Sequence, residues 1–262
     1  MNRNNAEKQI KHFDERADAY YKARNQDKNV YYRKLLFSYC LRGITTEKDK
    51  ILVLEPMCGY GTGKKIVDAL FGSDRVIYEG FDASPEIINI AKEINPDVNF
   101  QVKDILDFSV EEQYDVVVIV GGIHHVPDFA ADVLKRIYNA LVPGGIFINF
   151  EPTYNNVIMK LATGGIYRRN SSFEEATERR FSLDELNFLY KSAGFKLKRQ
   201  LYPGLFAYLL WYNPQIFKKL NIGNKKFIKK VVKKECKLYT NLLGKKWSVS
   251  TFSVLEKVKG AL

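Results

Sequence analysis

Cysteine, histidine and tryptophan are scarce in this chain of 262 residues, which holds three, three and two of them. Cys40, Cys58 and Cys236 are odd in number, far apart and without metal-ligand spacing. That excludes a disulfide framework or zinc module and fits a reducing cytoplasm. Long apolar runs are also missing. No uninterrupted stretch approaches the roughly 18 residues that span a bilayer, and the opening MNRNNAEKQIKHFDERADAYY is charged and has no apolar centre, unlike a signal peptide. The expectation is a soluble cytoplasmic protein, at most peripheral at the inner face of a membrane. Acids are almost absent from the last quarter. From Lys196 to Leu262 there are 16 Lys and Arg against two acids, Glu235 and Glu256, whereas the first 195 residues hold 25 against 28. The net charge of +11 therefore belongs to the C-terminal part.

What is present is led by Ile51 to Lys65, ILVLEPMCGYGTGKK. Four apolar residues and an acid read as a strand and its tip. Gly59, Gly61 and Gly63 then read as a tight turn, and Lys64 and Lys65 as the opening of an amphipathic helix. Glycine serves where the backbone needs positive φ or must approach a ligand, and a helix N-terminus offers unpaired N–H groups of partial positive charge. Such a turn holds an anionic group. A phosphate loop would need G-x-x-x-x-G-K-[ST], but Cys58 stands five residues before Gly63 and Lys65 follows Lys64. A dinucleotide fingerprint counted from Gly59 and Gly61 puts Lys64 at its last glycine, which weakens it. An NAD-dependent oxidoreductase and a non-catalytic binding module of the same fold stay open as alternatives.

The run from Glu55 through Met57, Gly59 and Gly61 resembles the first motif of class I S-adenosylmethionine (SAM)-dependent methyltransferases, with Met57 where that family usually has its first glycine. That departure implies that the turn at Met57 does not require positive φ. Asp82 in GFDAS and Asp104 in VKDILD end the next two strands, where the family has further acids. The run Phe13-Asp14-x-x-Ala17-x-x-Tyr20 is similar to the family segment that folds over the cofactor, and GGIHHVPD and LVPGG also look like its pattern. The resemblance implies SAM as cofactor, with S-adenosyl-L-homocysteine as product. Its cofactor-contact residues would be Glu55, Met57, Gly59, Gly61, Asp82, Ala83, Asp104 and Ile105, with Asp82 on the ribose hydroxyls and Asp104 and Ile105 at the adenine. It implies methyl transfer to a small-molecule acceptor; the basic amphipathic C-terminal stretch suits one that is anionic, apolar or lipid-linked, and His124 and His125 suit transfer to oxygen. Each acid alone also serves as an ordinary helix cap or turn residue. His124 and His125, two of the three histidines, stand where the methyl is expected, and an imidazole is poised near neutral pH to take a proton from an oxygen nucleophile. Adjacent residues at a strand end diverge, so one should face the substrate and the other pack. Tyr20, Glu151 and Tyr154 are candidate substrate contacts, and no metal is expected.

Short β-branched or aromatic runs predict strands at Ile51–Glu55, Val76–Asp82, Val98–Lys103, Asp115–Val120, Ile146–Glu151, Phe195–Tyr202 and Val249–Val258. Helices are predicted at Lys64–Leu70, from Ser84-Pro85-Glu86, over Phe129–Leu141 and from the capping box Ser182-x-x-Glu185. The expected architecture is α/β: a doubly wound, seven-stranded, mostly parallel sheet with an antiparallel last strand, as in the family. Residues 1–50 form an N-terminal helical cap, 51–202 the core with a lid segment over 152–181, 203–246 a basic amphipathic helical insertion between strands six and seven, and 247–262 the last core strand. In the insertion, Phe227, Ile228, Val231 and Val232 alternate with lysine pairs, giving one greasy and one basic helix face. That face suits a roof over the site, a homodimer contact or a peripheral membrane contact. No nucleic-acid reader motif accompanies it.

Overall fold

The computed structural model describes residues 10–11, 13–153, 179–212 and 221–258. Tyr154, most of the expected lid and residues 213–220 of the insertion lie outside the described residues. Two helices open the described chain, α1 (Ala17–Arg24) and α2 (Asp27–Cys40). The core then alternates β1 (Ile51–Pro56), α3 (Thr62–Phe71), β2 (Val76–Asp82), α4 (Pro85–Ile94), β3 (Asn99–Val102), β4 (Tyr114–Val120), α5 (Ala130–Ala140), β5 (Leu141–Pro152), α6 (Leu183–Ala193) and β6 (Phe195–Leu201). After it come α7 (Phe206–Trp211), α8 (Lys225–Glu235), α9 (Leu242–Trp247) and β7 (Ser250–Lys257).

The seven strands lie in the order β3-β2-β1-β4-β5-β7-β6, all parallel except β7, which runs antiparallel to both β5 and β6. This is the expected sheet with its reversed last strand. Its order turns over between β1 and β4, and the crevice outside the carboxyl ends of such a pair is where open α/β sheets bind ligands. Apolar side chains of α2, α3, α4, α7 and α8 cover one face, and those of α5 and α6 the other. The helices start where local chemistry directs. Ser84 Oγ accepts from the Ile87 N–H at 3.2 Å with Pro85 in the first turn, and Ser182 Oγ accepts from Glu185 N–H at 3.1 Å.

Two expectations are corrected. The fifth strand begins at Leu141, five residues earlier than predicted, because Leu141 pairs with Tyr114 across a register shift and Pro143-Gly144-Gly145 continues the strand instead of only closing a helix. The greasy face of α8 is largely used up internally: Ile228 and Val232 are buried and Val231 is half-buried in the core shared with α2. Trp211 of α7 meets Tyr32 of α2 at 6.0 Å, and Asn29 Nδ2 donates to the Trp211 and Tyr212 carbonyls at 2.8 and 2.6 Å. The N-terminal cap and the insertion thus form one helical layer.

Candidate active site

The turn after β1 is organised by Glu55. Its carboxyl group is buried and accepts the Gly63 N–H at 2.9 and 3.0 Å and the Tyr78 hydroxyl. Burial pushes it up to about 8 despite these donors. An added Cβ on Gly63 would lie 2.5 Å from both Glu55 Oε1 and Val118 Cγ1, so Gly63 is the glycine that lets α3 close on β1 and β4. Lys64, where a dinucleotide fingerprint needs that glycine, instead reaches Asp68 at 2.6 Å. The spacing that the packing uses is therefore G-x-G-x-G, against the oxidoreductase alternative. Gly59 and Gly61 have φ of +53° and +71°.

Met57 corrects the sequence reading, because its φ is +54°. Met57 lies between Pro56, paired with Phe81 in the ladder to β2, and Cys58, whose N–H bonds the Phe81 carbonyl at 3.0 Å. For a residue with a Cβ such a φ costs about 1–2 kcal/mol. Gly122 leaves room for it: a Cβ there would lie 3.1 Å from Met57 Sδ.

One cavity lies across the ends of β1, β2, β3 and β4. Its wall contains all eight of the expected cofactor contacts, Glu55, Met57, Gly59, Gly61, Asp82, Ala83, Asp104 and Ile105, together with Tyr20 and His125. Asp82 combines two tasks, since Oδ2 accepts the Gly59 N–H at 2.9 Å and Oδ1 the Ser84 N–H at 3.1 Å. Asp104 likewise caps the following 3-10 turn, accepting Leu106 N–H at 2.9 Å. The N-terminal segment is tied over this rim by Asp14, which takes the Ser84 hydroxyl and the Glu86 N–H at the start of α4.

The histidines sit in a 3-10 turn, Ile123–His125, with rings 4.0 Å apart, so they do not diverge as strand neighbours would. Their roles still split. His125 lines the cavity and meets Phe13 edge-on at 5.1 Å. His124 is not among the lining residues; its Nδ1 lies 2.9 Å from Glu151 Oε2. Glu151 is not a lining residue either. It is fully buried, and its Oε1 accepts the N–H groups of Gly122 and Ile123 at 3.0 and 2.9 Å. Burial raises it to about 7, and burial, helped by Arg180 and Arg24, lowers His124 to about 3. Burial thus disfavours charge on both groups, and imidazole and carboxyl meet at hydrogen-bond distance under the turn that presents His125.

Arg24 and Arg33 of the helical cap also line the cavity, and the sequence reading gave neither of them a role. Arg24 lies over Tyr20 at 4.5 Å and Tyr212 at 5.4 Å. Burial and the charge of Arg24 lower the pKa of Arg33, while the Tyr212 hydroxyl and Glu55 oppose that shift. In a helix sequence such arginines read as a solvated face, and only the docking of α1 and α2 over the crevice turns them inward. Among the described residues no cluster of His, Cys, Asp and Glu is arranged to hold a metal ion, and no helix is long and apolar enough to cross a membrane.

Sheet order, glycine turn and crevice define a Rossmann-like fold of the class I SAM-dependent methyltransferase type. Residues 53–145 match the family model described as a methyltransferase domain, and the fold is that of the SAM-dependent methyltransferases. S-adenosyl-L-methionine is the cofactor of that family. Similar solved structures include a chain of the complex between the Haloferax volcanii Trm112 methyltransferase activator and a methyltransferase, with 16% identity, TM-score 0.63 and coverage of 97% of this chain and 99% of that one. The cyclopropane synthase MmaA2 from Mycobacterium tuberculosis has 14% identity, TM-score 0.60 and coverage of 90% and 88%. A DhpI-SAM-HEP complex has 22% identity, TM-score 0.53 and coverage of 74% and 90%.

Proposed function

We propose that the protein transfers the methyl group of S-adenosyl-L-methionine to an oxygen of a small-molecule acceptor, with His125 taking the acceptor's proton. The observation that carries this reading is that one cavity joins the glycine turn, the strand-end acids and a histidine. The residues fit the cofactor. An added Cβ on Gly59 meets nothing within 4 Å, which leaves that face of the turn open to a ligand, and Arg33 brings positive charge to the end near Glu55. In this reading the turn and the α3 N-terminus hold the methionine carboxylate, Asp82 the ribose hydroxyls, and Asp104 with Ile105 the adenine. When bound, the cofactor supplies a methyl group already made electrophilic by its sulfonium.

The protein's own work is then alignment and proton removal. Phe13 and Tyr20 wall the acceptor side and exclude water, Arg24 favours an acceptor bearing negative charge, and His125 accepts the hydroxyl proton. Glu151 and His124 hold the turn and are positioning residues. The test is His125→Ala and His125→Gln, read by titration calorimetry with SAM, S-adenosylhomocysteine and NAD, and by methyl transfer to acceptors in metabolite extracts. Unchanged SAM affinity with turnover lowered about 10²–10⁴-fold supports the base. Full turnover in both variants removes it, and binding of NAD but not SAM overturns the whole reading.

A further inference from the structure

The C-terminal helical layer carries a surface that the methyl-transfer chemistry does not use. Leu242 and Leu243 are 83% and 60% exposed, and Trp247 and Leu238 are exposed beside them. The display is built into the fold. Asn241 Oδ1 accepts the Gly244 N–H at 2.9 Å, and a Cβ on Gly244 would lie 1.8 Å from the Leu238 carbonyl oxygen, so only glycine lets α9 press onto the preceding turn. With that contact made, Leu243 and Trp247, four residues apart on α9, share one face, and Leu238 borders it. Lys237, Lys245 and Lys246 are exposed around these side chains.

The charge around the patch has one sign. Residues 225–247 hold nine lysines and one acid, Glu235. Glu235 is buried, accepting the Ala207 N–H at 2.7 Å and the Tyr239 hydroxyl at 3.3 Å, and burial raises it to about 7. The nearest acid beyond it in sequence, Glu256, is paired with Lys198 at 3.0 Å. No exposed carboxylate of this segment therefore offsets the lysines. Exposed leucines and a tryptophan on a short helix that also carries exposed lysines fit an interface that is apolar below and anionic at its surface. Trp prefers that boundary, Leu inserts below it, and lysines meet the headgroups.

We infer that the α9 face, Leu238, Leu242, Leu243 and Trp247 with Lys237, Lys245 and Lys246, docks the protein on an anionic lipid bilayer. The α8 face, for which the sequence left a roof, a homodimer contact and a membrane contact open, has Ile228 and Val232 buried and is not part of this surface. The surface is independent of the cofactor site, and SAM binding measured on every variant keeps the two readings separable.

The experiment uses the full chain and vesicles of phosphatidylcholine with or without phosphatidylglycerol, at low and high salt, by sedimentation and tryptophan emission. Trp211 is fully buried and serves as a constant background, so a blue shift and loss of acrylamide quenching report on Trp247. The expected result is salt-sensitive binding to the anionic vesicles, with a blue shift that Trp247→Phe abolishes. Leu242→Ser with Leu243→Ser should weaken partitioning by about 10-fold or more. Lys245→Ala with Lys246→Ala should weaken it by about 30-fold, at roughly five-fold per lysine. Both pairs are exposed, so melting temperature should stay at the wild-type value. Absence of binding to either vesicle, equal binding to both, or a homodimer in sedimentation velocity that the leucine pair disperses would each overturn the proposal.

Discussion

Two glycines of one turn separate stability from ligand binding. At Gly63 an added methyl would come 2.5 Å from Glu55 Oε1 and from Val118 Cγ1, and both neighbours are buried. Glu55 cannot yield cheaply, because it is held by the Gly63 N–H and by the Tyr78 hydroxyl. Overpacking costs about 1–3 kcal/mol, and a buried carboxyl group displaced from its donors adds about 1–3 kcal/mol. Gly63→Ala should therefore lose about 2–6 kcal/mol, which for a chain of this size lowers the melting temperature by roughly 4–24 °C. At Gly59 the added methyl touches nothing within 4 Å, so only the left-handed backbone opposes it, at about 1–2 kcal/mol. Gly59→Ala should melt only a few degrees low. Its methyl points into the cavity, where loss of one N–H contact to a carboxylate weakens SAM binding by about 10- to 100-fold. Circular-dichroism melts and calorimetry with SAM on both variants check the pair. A Gly63→Ala protein that melts with the wild type, or a Gly59→Ala protein of wild-type SAM affinity, would refute the packing argument or the cofactor assignment respectively.

The pH dependence has a definite sign. Burial raises Glu55 to about 8 and Glu151 and Glu235 to about 7, so the folded chain keeps protons that the unfolded chain releases near pH 4.5. Stability should fall as pH rises from about 5 to about 8. His124, lowered to about 3, acts the other way below its unfolded value near 6.5, but it is one group against three. Melting temperature across that range should decline in the wild type and decline less in Glu235→Gln, where about 3 kcal/mol of linkage is removed; a rising wild-type curve contradicts this account. Asp82→Ala removes acceptors from the Gly59 and Ser84 N–H groups, so it should weaken SAM binding by at least 10-fold and loosen the turn together. Equal SAM affinity in calorimetry would show that the turn holds without it. Arg24→Gln should raise KM for a negatively charged acceptor more than it changes kcat, and an unchanged KM would release Arg24 from that role.

The sheet was legible because its signals are local: short β-branched runs, with Ser84-Pro85 and Ser182-x-x-Glu185 at helix starts. The residues brought to the cavity from strand tips were legible for the same reason, since a parallel sheet delivers its strand ends to one edge. What needed long-range packing was not. Glu151 stands at a strand end like Asp82, yet the turn after β4 folds over it, and its oxygens are taken by Gly122, Ile123 and His124. Met57 looked like a place for ordinary φ, but its φ is positive between two neighbours that both pair with Phe81. The greasy stripe of α8 looked free because its partner, α2, lies some 190 residues away in the chain.

That long-range pairing also divides the labour within the site. The glycine turn, Asp82, Asp104, Ile105 and His125 all lie within residues 53–145, the part matched by the methyltransferase domain. Phe13, Tyr20, Arg24 and Arg33, which complete the cavity wall, come from the helical cap outside it. Tyr212, which follows α7, braces Arg24 from the insertion, and Asn29 binds that insertion to α2. In the proposed function the cofactor half depends on strand ends that the sheet holds in place, whereas the acceptor half depends on two helical segments packed on each other. Changes in the cap or the insertion can therefore alter which acceptor is received without disturbing the backbone that cradles the cofactor. The same layer carries the α9 face on its outer side, so a protein docked there would hold its acceptor wall and its lipid contact in one packed unit.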